Sequence, residues 1–507
     1  MTIATTSTWV RRTESVLRPD PSRVVARLFL PGQEMAALGV SRSEAVIHRA
    51  LALTDEEVDE ELSAVYDSFS TRHRGLLSTW ESHFSLLEHR VTDHEPPSLA
   101  RRRLIGAYFT QEYSVEGAAL FNPSMALHPD QTGLPIGSVR FVMTVRAVGE
   151  GHISSIELRT GTVSASGQIT LDPPPTVAVL ANARPTSYVR SAFENQLVDM
   201  WGDRTNSDFV LDALPEEFSR DELDVALQNL RDQRLTRGAA RRTIDRFEWI
   251  AGCSYTVEFP PSSHVQERVL MPRGPSETQG MEDVRLIRLA DADADGEADY
   301  VGTYTAYDGD RISTQMIRTR DFRTFTITRL SGPGSRNKGL ALFPRKIAGR
   351  YVAMSRADRE SNGVTTSDDL QHWDEPVLVQ TPREPWEIVQ LGNCGPPIET
   401  EAGWLVLTHG VGPMRRYGIG AILLDLDDPT VVLGCLAQPL LTPDDDERDG
   451  YVPNVVYSCG ALLHGRHLVL PYGSSDSATR FAVVDLDPLL AELATSPAPP
   501  TTDEDHS

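Results

Sequence analysis

The feature that most restricts the fold of this chain is a repeated pattern of strand, acidic turn and aromatic residue. It occurs in "IRTRDFRTFTI" (317–327) and "VTTSDDLQHWDEP" (364–376), with a weaker copy in "LRTGTVSASGQITL" (158–171). In the two stronger copies a strand ends in Thr or Ser, an Asp stands on the turn, and an aromatic residue follows. Repeated four-stranded units of about 40–55 residues are typical of β-propellers. The repeat therefore predicts a mainly β fold.

The length of the β-rich region sets the number of units. Short runs with β-branched residues and Asp/Gly turns cover 115–170 and 250–490. These roughly 300 residues are enough for about five units at the typical blade length. We predict a five-bladed β-propeller; a long β-sandwich is the structural alternative.

Two sections have helical periodicity instead. Apolar residues recur at spacings of three and four over 40–110, where Thr54 and Glu57 form a capping-box pattern, and a second helical section lies at 188–245. The predicted organisation follows in chain order: an N-terminal helical extension (1–112), a catalytic propeller (113–490) with a helical insertion (about 188–245), and a polar, Pro-rich, disordered tail (491–507).

Charge and missing motifs exclude several classes of function. The formal net charge of −24 argues against nucleic acid or an anionic membrane as the main partner. The four cysteines are scattered, without the paired spacing of zinc sites, and no secretion signal or transmembrane run is evident. No dinucleotide fingerprint, phosphate-binding loop, zinc-protease or serine-hydrolase motif occurs. We expect a cytoplasmic protein.

Polar residues interrupt the strand pattern at several places, where a propeller would bring strand ends to one mouth. Each has an ordinary structural explanation when taken alone: a hydrogen-bonded histidine, a solvated turn charge or a capped turn. Together, carboxylates, Asn and Tyr suit a sugar, whereas Arg, Lys and His suit an anion such as phosphate. The candidates are Asn122, Arg146, Asp283, Tyr307, Arg336, Asn337, Lys338, Arg356, His409, Glu447 and Asp476.

The stretch "GMEDVRLIRL" (280–289) contains the strongest candidate. Glu282 and Asp283 stand at the start of an apolar run. Carboxylates in such a place are costly unless they are solvated, paired or used. From the residues alone, Asp283 is either a solvated strand cap or a proton donor.

Several uncommon strings, in this order, resemble glycoside hydrolase family 130, which contains β-mannoside phosphorylases and β-1,2-mannosidases. They are "FNP", "MEDVRL", "YTAYDG", "LFPRKIAGRYVAMSR", "GPPIETEAGWLVLTHGV", "GYVPNVVYSCG" and "YGSSD". The resemblance covers about 115–165 and 250–490, and it implies a five-bladed β-propeller. The helical sections lie outside it.

The resemblance also implies roles for individual residues. Asp283 matches the general acid, which in this family is thought to act through a hydroxyl of the bound mannose; Val284 stands where the family has Pro. Arg336, Arg356 and His409 match basic positions that hold phosphate in the family. Substrate-binding positions match Asn122, Arg146, Asn337, Tyr307, Glu447 and Asp476. No match supports Lys338, which is a possible extra phosphate contact.

The presence of Arg336, Arg356 and His409 favours phosphorolysis over hydrolysis. A hydrolase needs a carboxylate base to activate water, whereas phosphate is already an anion and needs basic residues to hold it. The resemblance thus implies an inverting glycoside phosphorylase that cleaves β-mannosides, such as manno-oligosaccharides or mannosyl-glucose, with phosphate to give α-mannose 1-phosphate. It implies no metal or organic cofactor. The alternatives are a β-mannosidase with Glu447 or Asp476 as base, and a non-catalytic carbohydrate-binding propeller. The sequence leaves linkage and acceptor open. The helical sections either form part of the acceptor side or mediate oligomerisation; we favour oligomerisation and expect a homo-oligomer.

Overall fold

The computed structural model describes residues 9–32, 35–37, 40–91, 95–200, 204–233, 237–290 and 299–496. The fold is mainly β, as the sequence predicts. The N-terminal part contains β1 (Val10–Leu17), β2 (Val24–Leu28), β3 (Met35–Ala37), β4 (Val40–Ser41), α1 (Arg42–Leu51), α2 (Asp55–Phe69), α3 (Leu76–Leu87), α4 (Leu99–Tyr108) and β5 (Thr110–Ser114).

Five antiparallel units follow, and the first two are separated by an insertion. Unit 1 contains β6 (Ala119–Leu127), β7 (Val139–Val148), β8 (Ser154–Val163) and β9 (Ile169–Leu171). The insertion and its flanks contain β10 (Val179–Leu180), β11 (Asn182–Arg184), β12 (Tyr188–Val189), α5 (Arg190–Asp199), α6 (Arg204–Leu211), β13 (Glu217–Phe218), α7 (Arg220–Gln233), α8 (Arg237–Gly252), β14 (Tyr255–Glu258) and β15 (Arg268–Leu270).

The other four units continue to the end of the sheet region. Unit 2 contains β16 (Gly280–Arg288), β17 (Tyr300–Tyr307), β18 (Ile312–Thr319) and β19 (Thr324–Arg329). Unit 3 contains β20 (Ala341–Leu342), β21 (Tyr351–Ser355), β22 (Asn362–Ser367) and β23 (Val377–Gln380). Unit 4 contains β24 (Gln390–Asn393), β25 (Ile398–Thr400), β26 (Gly403–Val411), β27 (Tyr417–Leu424) and β28 (Val432–Cys435). Unit 5 contains β29 (Val456–Tyr457), β30 (Leu462–His464), β31 (His467–Ser474) and β32 (Ala478–Asp485), and α9 (Leu486–Thr495) follows.

Hydrophobic clusters lie between successive units, and one of them joins unit 5 to unit 1. Pairs of buried residues that share a cluster are Ile156 with Met281 (units 1 and 2), Val301 with Leu342 (units 2 and 3), Met354 with Trp404 (units 3 and 4), Leu407 with Leu468 (units 4 and 5) and Val469 with Phe141 (units 5 and 1). Burial of these apolar faces is the main stabilising term of such a fold.

The repeat seen in the sequence has a physical cause in the structure. The Asp321 Oδ1 atom accepts hydrogen bonds from the backbone N–H groups of 323 and 324, at 2.9 and 2.8 Å. Asp369 does the same for residues 371 and 372, at 2.8 and 2.9 Å. Each Asp therefore holds the turn between the last two strands of its unit. The aromatic residues of the pattern, Phe322 and Trp373, are buried in the clusters between units.

The two helical sections are present, but the predicted boundaries need correction. The capping box on α2 is confirmed: Thr54 Oγ1 accepts from the Glu57 N–H at 3.2 Å, and the Glu57 carboxylate accepts from the Thr54 N–H at 2.7 Å. The extension over 1–112 is not purely helical, because β1 pairs with β32 of unit 5 and β2 pairs with β5. The insertion has its own apolar core and extends through α8 to Gly252.

The predicted disordered tail also begins too early. Residues 491–495 belong to α9, whose apolar face is buried against unit 4 and unit 5 through Leu489 and Leu493. The rest of the predicted tail, 497–507, lies outside the described residues.

Candidate active site

Two β-bulges aim polar side chains out of otherwise apolar strands. The pairing of β16 with β17 shifts between Glu282 and Arg285, and the pairing of β6 with β7 shifts between Phe121 and Ser124. Asp283 and Asn122 stand on these bulges with φ values of 60° and 51°. Bulges and left-handed residues are concentrated at functional sites, because they re-aim a side chain at an energetic cost.

The two bulges bring Asp283 and Asn122 into direct contact. The Asn122 Nδ2 atom donates to Asp283 Oδ1 at 2.8 Å, and Arg146 Nη1 lies 3.5 Å from the same oxygen. Arg146 also pairs with Glu282 at 2.8 Å, and Lys338 pairs with the other Glu282 oxygen at 2.6 Å. Units 1 and 2 and the segment after β19 thus form one charged cluster, which we call the Asp283 cluster.

The charges of this cluster decide the protonation of Asp283. Burial alone would raise the pKa of the carboxyl, but the nearby charges of Arg146, Lys338 and Arg285, with the Asn122 hydrogen bond, outweigh it and lower the pKa. Asp283 is therefore ionised at neutral pH in the free protein. Val284, which stands where the related family has Pro, is 2% exposed and packs in the cluster between units 1 and 2.

A basic cleft lies beside the Asp283 cluster. It has a volume of about 700 Å³, and its lining includes Arg336, Asn337, Lys338, Arg356 and Arg359. Arg336 is exposed, whereas the Asn337 amide oxygen accepts from Arg359 Nε at 2.9 Å. This cleft therefore collects guanidinium and ammonium groups in a chain whose net charge is −24.

His409 lies behind this cleft, in contact with Arg356. Burial, with the charges of Arg356 and Arg285, lowers its pKa well below the ordinary value, so the imidazole is neutral. Its Nε2 atom lies 3.2 Å from Arg356 Nη1, and its Nδ1 atom lies 3.3 Å from the Asn393 carbonyl oxygen. This pattern fits a neutral ring that accepts from Arg356 and donates to the carbonyl. His409 is thus placed to orient Arg356 and not to add positive charge.

Asp476 contributes a second carboxyl, whose pKa is raised. It stands at φ 49° on the turn after β31. Burial, with the negative charges of Asp283 and Glu282, raises its pKa to about 7 although Arg146 and Arg415 act in the opposite direction. One of the two carboxyls is therefore ionised at neutral pH and the other is close to half protonated.

This pKa predicts how stability depends on pH. Because the folded state holds the Asp476 proton more tightly than the unfolded chain does, the free energy of unfolding falls as pH rises from about 4 to about 7. Asp476→Asn removes this titration. We expect the stability of the variant, relative to the unmodified protein, to increase by about 2 kcal/mol between pH 5 and pH 8 in denaturant unfolding. A pH-independent difference would contradict the assignment.

Two predicted substrate residues lie apart from these groups. The Glu447 carboxylate is 1% exposed and accepts from the Tyr472 hydroxyl at 2.5 Å and from Arg12 at 3.1 Å. Both of its oxygens therefore have partners within the protein, and the substrate-binding role of Glu447 stays a prediction.

The Tyr307 hydroxyl donates to the Gly309 carbonyl at 2.8 Å within its own turn, and no described contact joins it to the Asp283 cluster.

Tyr457, which is not among the candidates named from the sequence, connects the two sides of the site. The Arg285 Nη2 atom donates to the Tyr457 hydroxyl at 2.6 Å, and the Tyr457 ring meets the His409 ring edge-to-face with centroids 4.9 Å apart. Lys338, which had no motif support, bridges the basic cleft and the Asp283 cluster through Glu282. The position of Tyr457 at the end of the apolar strand "NVVY" was the available signal.

An ionised carboxylate among cations, a second carboxyl with a raised pKa and a basic cleft thus lie close together. Comparison with known proteins gives the family. The profile of the family described as beta-1,4-mannooligosaccharide phosphorylase, glycoside hydrolase family 130, matches residues 261–494. The chain belongs to glycoside hydrolase family 130.

Relatives with assigned activities are mannoside phosphorylases. The chain is 32% identical over 225 residues to a 1,2-beta-oligomannan phosphorylase of Thermoanaerobacter sp., covering 41% of this chain and 70% of the relative. It is 29% identical over 284 residues to a beta-1,2-mannobiose phosphorylase of Listeria innocua, covering 54% and 77%. A solved structure of the beta-1,2-mannobiose phosphorylase from Listeria innocua with beta-1,2-mannobiose has a TM-score of 0.45 and 21% identity, and covers 75% of this chain and 93% of that chain.

Among the helices that the structure describes, none is long and apolar enough to cross a membrane.

Proposed function

We propose that the protein is an inverting β-mannoside phosphorylase. Phosphate in the basic cleft attacks the anomeric carbon, the glycosidic C–O bond breaks, and the leaving oxygen takes a proton that originates from Asp283. The products are α-mannose 1-phosphate and a shortened acceptor. The observation that carries the proposal is the position of the Asp283 cluster beside the basic cleft, with Lys338 common to both.

The charges suggest when Asp283 takes up its proton. In the free protein, nearby cations hold its pKa low. A phosphate that pairs with Lys338 in the basic cleft adds negative charge nearby, and added negative charge raises the pKa of a carboxyl. Binding of phosphate would therefore convert Asp283 from an anion to an acid, so that the proton is available only when the nucleophile is present. No cofactor beyond the co-substrate phosphate enters this reaction.

We also propose that the five units form a five-bladed β-propeller with the site at its centre. Three observations support this arrangement. The apolar clusters link the units in a ring, including unit 5 to unit 1, and β1 from the N-terminal part adds an edge strand to unit 5. The site residues also come from all five units: Asn122, Asp283, Arg356, His409 and Asp476.

The function is tested by incubating the protein with β-1,2-, β-1,3- and β-1,4-mannobiose and with mannosyl-glucose, each with and without phosphate. We expect mannose 1-phosphate from at least one substrate, and only when phosphate is added. The same enzyme run in reverse from mannose 1-phosphate reports the acceptor. Free mannose released at the same rate in both conditions, or binding without any release, would overturn the proposal.

Arg356→Gln tests the phosphate site. Arg356 lines the cleft, and its buried Nε atom has no hydrogen-bond partner in the described structure, so it is available to an anion. A hydrogen bond from a charged group contributes about 1.5–3 kcal/mol, so we expect the KM for phosphate to rise about tenfold or more. Arg350→Gln is the matched control, because Arg350 pairs with exposed Asp368 outside the cleft. Equal phosphate KM values for the two variants would contradict the assignment.

One observation supports hydrolysis as a second candidate function. An inverting hydrolase needs a second carboxyl as base, and the pKa of about 7 on Asp476 suits that role. This β-mannosidase would release mannose without phosphate and would lose activity in Asp476→Asn. Glu447 is a poor base in either case, because its carboxylate is buried and already bonded.

A further inference from the structure

The helical insertion lies against unit 2, close to the proposed phosphate site. Near the end of α5, Gln196 donates to the Arg329 carbonyl oxygen at 3.2 Å, and the Asp199 carboxylate accepts from the Gly332 N–H at 2.9 Å. On α8, the Trp249 ring lies under the Arg329 guanidinium, 5.5 Å from the ring centroid. These contacts fix the insertion relative to the strands that carry the site.

An outer cleft opens between the insertion and the turn after β17. It has a volume of about 790 Å³, and its lining includes Asp245, Trp249, Asp310 and Arg311. It is continuous with the basic cleft, because Arg311 and Arg329 line both. A volume of this size is typical of a site that encloses a small organic ligand.

The two clefts differ in charge. Six basic side chains and two carboxylates line the basic cleft, which suits phosphate. Three basic side chains, four carboxylates and one Trp line the outer cleft. A nearly balanced set of donors and acceptors with one aromatic ring suits a neutral ligand with many hydroxyl groups, because such a ligand needs hydrogen bonds and apolar contact but no net counter-charge.

Arg329 has unused hydrogen-bonding capacity at the junction of the clefts. Its Nε and Nη1 atoms are buried and have no hydrogen-bond partner in the described structure. Burial lowers the pKa of this guanidinium. Buried donors without partners are costly, and a ligand that supplies acceptors removes that cost.

We propose that the outer cleft binds further sugar units of an oligosaccharide substrate. The helical insertion would then set a preference for substrates longer than a disaccharide. The proposal rests on the phosphorylase function above. It concerns Asp245 and Trp249, which lie before the stretch 261–494 that matches the family profile.

The test compares β-mannobiose with the mannotriose and mannotetraose of the same linkage in the full-length protein. The readout is the ratio of kcat/KM for the longer substrate to kcat/KM for the disaccharide. We expect this ratio to fall about tenfold in Trp249→Ala, in line with the energy of one aromatic contact, and severalfold in Asp245→Ala. Trp249→Phe should retain most of the ratio.

Asp245→Ala and Asp212→Ala show whether a change in the ratio comes from the outer cleft or from a general effect on folding or catalysis. Asp245 is exposed, so Asp245→Ala remains informative if Trp249→Ala fails to fold. Asp212→Ala, an exposed carboxylate on the same insertion outside both clefts, should leave the ratio unchanged. An unchanged ratio in Asp245→Ala and in folded Trp249 variants, or an equal fall in kcat/KM for all lengths, would overturn the proposal. Absence of phosphate-dependent turnover in the unmodified protein would instead overturn the proposed function itself.

Discussion

Replacing Asp283 with Asn is expected to lower kcat by about 10²–10⁴-fold, the usual loss when a general acid is removed. Asn tolerates the left-handed backbone at φ 60°, and it is close in size to Asp, so the bulge is retained. Glu282 still pairs with Arg146 and Lys338 in the variant. The loss should therefore appear in turnover and not in folding, measured as mannose 1-phosphate formed per unit time beside a thermal unfolding curve.

Asp368→Asn is a matched control for this change. Asp368 is an exposed carboxylate of unit 3 that pairs only with Arg350 among the described contacts, and its replacement should leave turnover unchanged. If Asp283→Asn keeps more than about a tenth of the activity, Asp283 is not the acid, and Asp476 becomes the alternative. The proposed rise in the pKa of Asp283 on phosphate binding can be measured separately. The pKa of the acidic group seen in the pH dependence of kcat should be higher than the pKa of the Asp283 carboxyl in the phosphate-free protein.

Glu447→Ala is expected to lower the free energy of unfolding by about 3 kcal/mol, because breaking a buried ion pair leaves its partner without compensation. Glu447 joins three parts of the chain: Arg12 on β1, Tyr472 on β31 and its own turn, in which it accepts from the Asp444 N–H at 3.1 Å. The change should therefore weaken the attachment of β1 to unit 5. Hydrogen exchange of the β1 amides should increase more than that of unit 3.

Glu399→Ala is the surface comparison for this prediction. Glu399 pairs with Arg345 at 2.8 Å, but its side chain is 44% exposed, so its loss should cost no more than about 1 kcal/mol. If Glu447→Ala is as stable as Glu399→Ala and instead raises the KM for the mannoside, the carboxylate binds substrate and the structural assignment is wrong.

Some candidate residues named from the sequence are neighbours in the structure, whereas their protonation states depend on residues far away in the chain. Asp283, Asn122 and Arg146 were named together, and they meet within hydrogen-bonding or ion-pairing distance. His409 was expected to hold phosphate as a basic group. Its neutral state depends on burial and on the charges of Arg356 and Arg285, which come from other units and cannot be read from the local sequence.

The contacts of Glu447 also depend on the tertiary structure. The family resemblance implies sugar binding for this carboxylate, and nothing in the local sequence indicates that Arg12, 435 positions earlier, contacts it. The N-terminal strand that carries Arg12 was hidden inside a section predicted as helical. A strand that pairs only with a distant partner has little local signature, because its hydrogen bonds and apolar contacts are supplied by another part of the chain.

The sequence by itself determined the mainly β class, the two helical sections, the Asp-capped turns with their buried aromatic residues and the family. These features depend on local spacing and on turn chemistry, which act over a few residues. Only the tertiary structure decided the protonation of Asp283 and Asp476, the neutral state of His409, the ion pair of Glu447 with Arg12 and the contact of the insertion with the cleft. Each of these depends on charges and on burial contributed by residues far apart in the chain, and electrostatic energies vary with distance in space and not with separation in sequence.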